Sequence, residues 1–108
     1  MNTARLEDMV KGWFVGDFEP SAFKTNDCEV AVKSYSAGDR EPLHHHKIAT
    51  EITLVLLGEV WMVEKKWGPG DIIVLHPGDA TDFMAITDCT NVVVKIPGSL
   101  YDKYIGVE

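Results

Sequence analysis

Residues 37–60 read AGDREPLHHHKIATEITLVLLGEV, and this stretch decides how the rest of the chain is interpreted. Three consecutive histidines, His44 to His46, are followed by a single carboxylate, Glu51, at the start of a run of apolar residues. A carboxylate at a buried position in a strand is costly unless a cation or a charged partner balances it. The stretch therefore predicts a polar site built into a β-sheet.

The spacing of the histidines predicts which of them act together. Side chains two positions apart in a strand lie on the same face, so His44 and His46 point together while His45 points away, toward solvent. Residues 47–50 predict a short turn that brings the chain back as an antiparallel strand beginning near Glu51. Two imidazoles and one carboxylate on one face form a ligand set suited to ferrous iron, and acceptable to manganese, nickel or zinc.

The same residues carry a resemblance to a known family. Gly38, His44, His46, Glu51 and Gly58 follow the spacing G-x5-H-x-H-x4-E-x6-G. This pattern resembles the first motif of the cupin family at every defined position. The resemblance implies a jelly-roll β-barrel, also called a double-stranded β-helix, over residues 28–97. It also implies that the two histidines and the glutamate are the candidate ligands of a divalent metal, and the candidate catalytic residues.

A second stretch, residues 70–85, is similar to the second cupin motif at Gly70, Pro77 and Gly78. It differs at the position of the family's fourth metal ligand, where this chain has Thr81. It also has Ala85 where the family has an asparagine. A hydroxyl is a poor ligand for these metals, so we expect Thr81 to hold a water molecule or to contact the substrate.

Four residues are candidates for contact with a small-molecule substrate: Thr53, Thr81, Phe83 and His76. Thr53 has the same parity as Glu51, as do Val55 and Leu57, so these side chains are expected to line the pocket. A lone histidine such as His76 is more often an ordinary strand-end residue than a functional one. Asp82 lies on the opposite face from Thr81 unless the register shifts by one residue.

The remaining sequence predicts one all-β domain. From residue 28 onward, short segments rich in β-branched residues alternate with Gly and Pro turns, as in sandwiches and barrels. In the first of these segments, Val30 and Val32 share one face while Glu29 and Lys33 share the other. Residues 1–27 predict an irregular or helical strap belonging to the same domain, and residues 98–108 a C-terminal tail.

Charge and composition exclude several classes of partner. The 108-residue chain has a net charge of −7, which argues against binding nucleic acid or an anionic membrane. An anionic small molecule is not excluded, because a local site can differ in sign from the whole chain. No secretory signal or membrane-spanning stretch is visible, and the two cysteines form no metal-binding pair, so a cytoplasmic protein is expected.

The strand that begins at Glu51 is apolar on both faces, because Ile52, Leu54 and Leu56 alternate with the pocket-facing residues. Such a strand needs cover on each side. Either the aromatic N-terminal strap or a second subunit covers it, and a homodimer is the expectation.

Three functions fit these observations. The first is a metal-dependent enzyme of the oxygenase, isomerase or lyase type, which acts on a small molecule. The second is a metal-free isomerase or epimerase of nucleotide-linked sugars, in which His44 or His46 moves protons and Glu51 fixes the tautomer. Because Arg40 is the only arginine beyond Arg5, diphosphate binding there would depend on lysines. The third is a non-catalytic ligand-binding module. We favour a divalent-metal site, and the sequence leaves open whether the protein is an enzyme.

Overall fold

The computed structural model describes residues 1–107 and is built on ten β-strands in two five-stranded sheets. The strands are β1 (Trp13–Val15), β2 (Glu29–Tyr35), β3 (Arg40–His45), β4 (Thr50–Leu57), β5 (Val60–Met62), β6 (Lys65–Trp67), β7 (Ile72–Leu75), β8 (Ala80–Ala85), β9 (Cys89–Ile96) and β10 (Tyr104–Ile105). One sheet has the order β1-β2-β9-β4-β7 and the other β10-β3-β8-β5-β6, with antiparallel pairing throughout. The predicted all-β jelly-roll architecture is confirmed.

The segments at both chain ends join this framework. Two single-turn 3₁₀ helices, Leu6–Asp8 and Val10–Gly12, precede β1, in agreement with an irregular or helical N-terminal segment. Both β1 and β10 lie outside residues 28–97, and each adds an edge strand to one sheet. Within residues 1–107, no helix is long and apolar enough to cross a membrane.

The apolar core lies between the two sheets and is formed by side chains from β4 to β9: Val55, Val60, Met62, Ile73, Leu75, Phe83, Ala85 and Cys89. On β4, a register shift between Val55 and Leu57 interrupts the alternation. Leu57 is consequently 65% exposed, and the prediction that it lines the pocket is wrong. A bulge inserts one extra residue and so reverses the parity of everything after it.

On β2, the face that points into the barrel carries the polar residues. Glu29 and Ala31 are buried, and Lys33 follows them on the same face. Val30 and Val32 lie on the outer face and are only half-buried. The predicted alternation is therefore correct, but the valines face outward and the charged residues face inward.

The outer face of β4 and β7 remains open in the single chain. β7 is the edge strand of its sheet, and Ile72 and Val74 on it are 60% and 45% exposed. On β4, Leu56 is 43% exposed. The N-terminal segment pairs with β2 at the opposite edge of the same sheet, so it does not supply the cover on this side.

The C-terminal tail fixes the turn between β3 and β4. The carboxylate of Asp102, which is 2% exposed, accepts hydrogen bonds from the backbone N–H groups of Lys47, Ile48 and Ala49 at 2.9, 3.0 and 2.9 Å. Burial alone would raise the pKa of Asp102, but these three N–H groups outweigh it and the pKa is lowered. The turn that separates His46 from Glu51 is therefore held by a residue from the other end of the chain.

Beyond Asp102 the tail covers His45. β10 pairs with β3, placing Tyr104 opposite His45, and the two rings stack with their centroids 5.5 Å apart. The Nδ1 of His45 donates to the carbonyl oxygen of Gly106 at 2.8 Å. His45 does point away from its neighbours, as expected, but it is 3% exposed rather than solvent-facing.

Replacement of Asp102 by alanine tests the role of the tail. We expect Asp102→Ala to lower the free energy of unfolding by about 3 kcal/mol, since buried N–H groups lose their acceptor. The folded-state pKa lies below the unfolded value of 3.8, so this stabilisation is complete above that value and is lost as the pH falls through the folded pKa. Urea unfolding should therefore show that the difference in free energy of unfolding between wild type and variant becomes smaller as the pH falls from about 7 to about 3. Exposed Asp17→Ala is the control, and equal stability of wild type and Asp102→Ala at neutral pH would contradict this role.

Two glycines of the first motif have different structural reasons. Gly58 has φ +81°, and a Cβ there would lie 2.1 Å from the carbonyl oxygen of Asp88. Gly38 has φ +91°, but nothing lies within 4 Å of its added Cβ.

We expect Gly38→Ala to lower the free energy of unfolding by about 1 kcal/mol from backbone strain alone. Gly58→Ala should cost more than about 3 kcal/mol, since β4 and the start of β9 must move apart. Similar unfolding midpoints for the two variants would rule out the steric explanation.

Candidate metal centre and ligand cavity

His44, His46 and Glu51 come together where β3 ends and β4 begins. Their candidate ligand atoms all lie within 4.8 Å of one another. The Nε2 of His46 is 3.5 Å from Oε1 of Glu51, and the two imidazole rings meet edge to face with centroids 5.8 Å apart. Both histidines are 6% exposed. The structure thus unites the three residues that the spacing places on one face.

Backbone carbonyl groups fix the orientation of both imidazoles. The Nδ1 of His44 donates to the carbonyl oxygen of Pro42 at 2.8 Å, and the Nδ1 of His46 donates to the carbonyl oxygen of Asp102. In the neutral rings, Nε2 then carries the lone pair, which is the arrangement found in metal-binding histidines. The Nε2 of His46 is buried and has no hydrogen-bond partner among the described residues.

The charges in this group depend on one another. Contact with the Glu51 carboxylate raises the pKa of His46, whereas burial lowers it, and the raising prevails. Burial would raise the pKa of Glu51, but contact with His46 and the positive charges of His46, His44 and Lys95 outweigh it, so the pKa is lowered. Glu51 is therefore a carboxylate at neutral pH. Two imidazole nitrogens, one of them without a partner, and one carboxylate oxygen fit a divalent transition metal.

A cavity of about 270 Å³ opens beside these three residues. Of the predicted substrate contacts, Thr53 and Phe83 line it. Thr81 and His76 do not. His76 is exposed, and its backbone N–H bonds to Asp79 in the turn between β7 and β8.

Thr81, which the resemblance places at the fourth-ligand position, uses its hydroxyl in two hydrogen bonds to the backbone. It lies directly opposite His44 in the pairing of β3 with β8. Its Oγ1 donates to the carbonyl oxygen of Asp82 at 2.7 Å and accepts from the N–H of Val63 at 2.8 Å. Asp82 itself is exposed on the outer face. Neither side chain therefore supplies a fourth ligand to the group.

Four lysines that sequence reasoning did not single out line the same cavity: Lys11, Lys33, Lys95 and Lys103. Lys33 and Lys95 come from β2 and β9, where the pattern predicts alternation but not which face turns inward. The other two come from chain ends whose sequence carries no clear pattern. The only available signal was that Lys33 shares a face with Glu29.

The ammonium group of Lys33 lies over two aromatic rings, with Nζ 5.8 Å from the ring centroids of Trp13 and Tyr35. The pKa of Lys33 is lowered, mainly by burial. The charge of Glu41 opposes this effect, and the charges of Lys11 and Lys103 add to it. The Tyr35 hydroxyl donates to Oε1 of Glu41 at 3.5 Å, and burial together with the nearby carboxylates raises the pKa of Tyr35.

Lys95 lies in a row of charges across three strands. It is directly opposite Glu29 on β2 and Glu51 on β4, and its Nζ is 3.5 Å from Oε1 of Glu29. The other oxygen of Glu29 accepts from the N–H of Ser99 at 2.7 Å. Four residues before Lys95 on β9, Asn91 is 2% exposed at the cavity wall, and its Oδ1 has no hydrogen-bond partner among the described residues.

Comparison with solved structures agrees with the fold, whereas two other comparisons found no match. No protein-family profile and no curated protein matches the chain. Among solved structures, an uncharacterized protein with a double-stranded β-helix domain from Klebsiella pneumoniae is 23% identical, with a TM-score of 0.70 over 78% of this chain and 74% of its own. A predicted oxalate decarboxylase from Thermotoga maritima is 25% identical, with a TM-score of 0.60 over 67% of this chain and 69% of its own.

A sugar phosphate isomerase from a cupin superfamily, from Silicibacter pomeroyi, is also 25% identical, with a TM-score of 0.60. The match covers 65% of this chain and 50% of that protein. All three share the fold of this chain over the matched residues. The predicted resemblance is confirmed in the fold, which is the double-stranded β-helix of these similar proteins.

Proposed function

We propose that this protein binds one divalent transition metal through Nε2 of His44, Nε2 of His46 and the carboxylate of Glu51, and acts on a small molecule in the adjoining cavity. The observation that carries the proposal is the convergence of three candidate ligand atoms within 4.8 Å of one another. Among the described residues the buried Nε2 of His46 makes no hydrogen bond, and its 3.5 Å ion-pair contact is with Glu51, another member of the group. Buried polar atoms are rarely left unpaired without a functional reason. Similar proteins named as a predicted oxalate decarboxylase and a sugar phosphate isomerase support an enzymatic role.

The protein side chains define what the site can do. With only three protein ligands, coordination positions remain for oxygen atoms of a substrate, and a bound ion supplies Lewis-acid or redox chemistry there. Thr53 and Phe83 form part of the wall against which the substrate packs. Glu41 is the second carboxylate in the cavity and lies outside the ligand set, so we assign to its Oε atoms the exchange of a proton with the substrate.

A second candidate function is acid–base catalysis without a metal. The observation that favours it is the 3.5 Å contact between His46 and Glu51, which forms an imidazole–carboxylate pair at the cavity wall. In that case His46 moves the proton and Glu51 holds the ring. Turnover by chelator-treated protein, unchanged when metal is added, would favour this alternative. Binding of a small molecule in the cavity without its conversion would favour a non-catalytic module.

Metal titration of the protein prepared without a histidine tag tests the first proposal. We expect one divalent ion per chain by calorimetry, with His46→Ala and Glu51→Gln each weakening binding by more than about 100-fold. Loss of outer-shell partners alone costs about 10–100-fold in known sites, and loss of a ligand should cost more. His76→Ala is the control, because that histidine is exposed and outside the cavity. Uptake that is equally strong in all three variants would refute the assignment of ligands.

We also propose that two chains form a homodimer in which the exposed outer faces of β4 and β7 pack against each other. We expect light scattering to give the mass of two 12.0 kDa chains. Val74→Lys should convert the protein to a folded monomer, since a lysine on an edge strand opposes pairing with a second sheet. Leu43→Lys, a similarly exposed position on the other sheet, is the control. A monomeric wild-type protein at micromolar concentration would remove the proposal.

A further inference from the structure

We infer that the ligand of this cavity is a compact anion that carries a hydroxyl group, such as a small hydroxycarboxylate, with its charge on the lysines and its hydroxyl on the amide of Asn91. The inference deepens the proposed function, on which it rests for the identity of the cavity. Lys33 and Asn91 are direct cross-strand partners on β2 and β9, and both line the cavity. They therefore present a cation and an amide side by side toward the same space.

The distribution of charge supports an anionic ligand. The chain carries a net charge of −7, yet four of its ten basic residues line one cavity of about 270 Å³, against two carboxylates. Among residues 1–107, Lys11, Lys33 and Lys103 form no ion pair. Clustered cations repel each other, and burial of an ammonium group is costly. A divalent ion on Glu51 would increase the positive excess, which an anion would offset.

Asn91 is an independent indication of a ligand. Within the described chain, only two buried side-chain polar atoms have no hydrogen-bond partner, and Oδ1 of Asn91 is one of them. The other, Nε2 of His46, also belongs to this cavity. A side-chain amide both donates and accepts, and a hydroxyl group can do the same. A hydroxyl on the ligand therefore suits this position better than a second charge.

The size of the cavity limits the ligand. Its volume of about 270 Å³ lies just below the range of about 300–1,000 Å³ that is common for small-molecule sites. A nucleotide-linked sugar is too large for this space, whereas a hydroxy acid of a few carbons fits. Phe83 and Val93 supply apolar wall for the carbon skeleton.

Three probes of nearly equal size separate charge from hydroxyl. Lactate has both groups, propionate has the charge only, and propane-1,2-diol has hydroxyls only. We expect calorimetry on the full chain, chelator-treated and metal-loaded, to show lactate binding, propionate binding about tenfold more weakly, and no binding of the diol. Equal binding of the diol and lactate, or no binding of either acid at about 10 mM, would overturn the inference.

Two substitutions connect the binding to the named residues. Lys33→Met and Asn91→Leu should each weaken lactate binding about tenfold or more, while urea unfolding shows unchanged or higher stability. Stability is retained because Asn91→Leu removes a buried amide oxygen that has no partner among the described residues, and Lys33→Met removes a half-buried ammonium group that forms no ion pair there. Lys24→Met, an exposed position outside the cavity, should change neither quantity. Unchanged lactate affinity in both Lys33→Met and Asn91→Leu would refute the assignment.

A metal titration of the same samples separates this inference from the proposed function. Metal uptake without lactate binding would overturn the inference and leave the metal site standing. Lactate binding that depends on Lys33 and Asn91, in a protein that takes up no metal, would support the inference and overturn the metal proposal.

Discussion

The register of β9 against its two neighbours determines what the inside of this barrel contains. Lys95 pairs with Glu29 on one side and Glu51 on the other, and Asn91 pairs with Lys33. Because successive side chains alternate between faces, a slip of one residue would turn Lys95 and Asn91 outward and bring neighbouring valines inward. The polar cavity wall and the apolar outer face of this sheet are therefore two results of one pairing.

Within that register, most buried charges have partners. Glu29 is held by Lys95 and by the N–H of Ser99, and Asp102 by three backbone N–H groups. In the part of the chain that the structure describes, two buried side-chain polar atoms make no hydrogen bond, one each on His46 and Asn91, and both residues line the cavity. A fold that satisfies its polar groups elsewhere and leaves them unpaired in one place is best explained by a ligand at that place.

The parts of the site that were predictable from the sequence are local. His44, His46 and Glu51 lie within eight residues, so strand alternation and one turn suffice to bring them together. The resemblance also placed Thr81 at the family's fourth-ligand position, but neither its pairing opposite His44 nor the use of its hydroxyl by the backbone of Val63 and Asp82 was predictable.

The remaining features depend on contacts between distant segments. Asp102 reaches the turn after His46 from more than fifty residues away, and the inward face of β2 is set by its pairing with β9. A single bulge on β4 was enough to expose Leu57, although the alternation before it was correct. Strand patterns give the two faces of a strand, whereas tertiary pairing decides which face is buried.

The most direct test is a crystal structure of the untagged protein grown with a divalent transition metal, with data collected at the absorption edge of that metal. The proposed site predicts a single anomalous peak in the cavity, about 2.0–2.2 Å from Nε2 of His44, Nε2 of His46 and a carboxylate oxygen of Glu51. A peak elsewhere on the protein, with His46 and Glu51 still in contact only with each other, would contradict it.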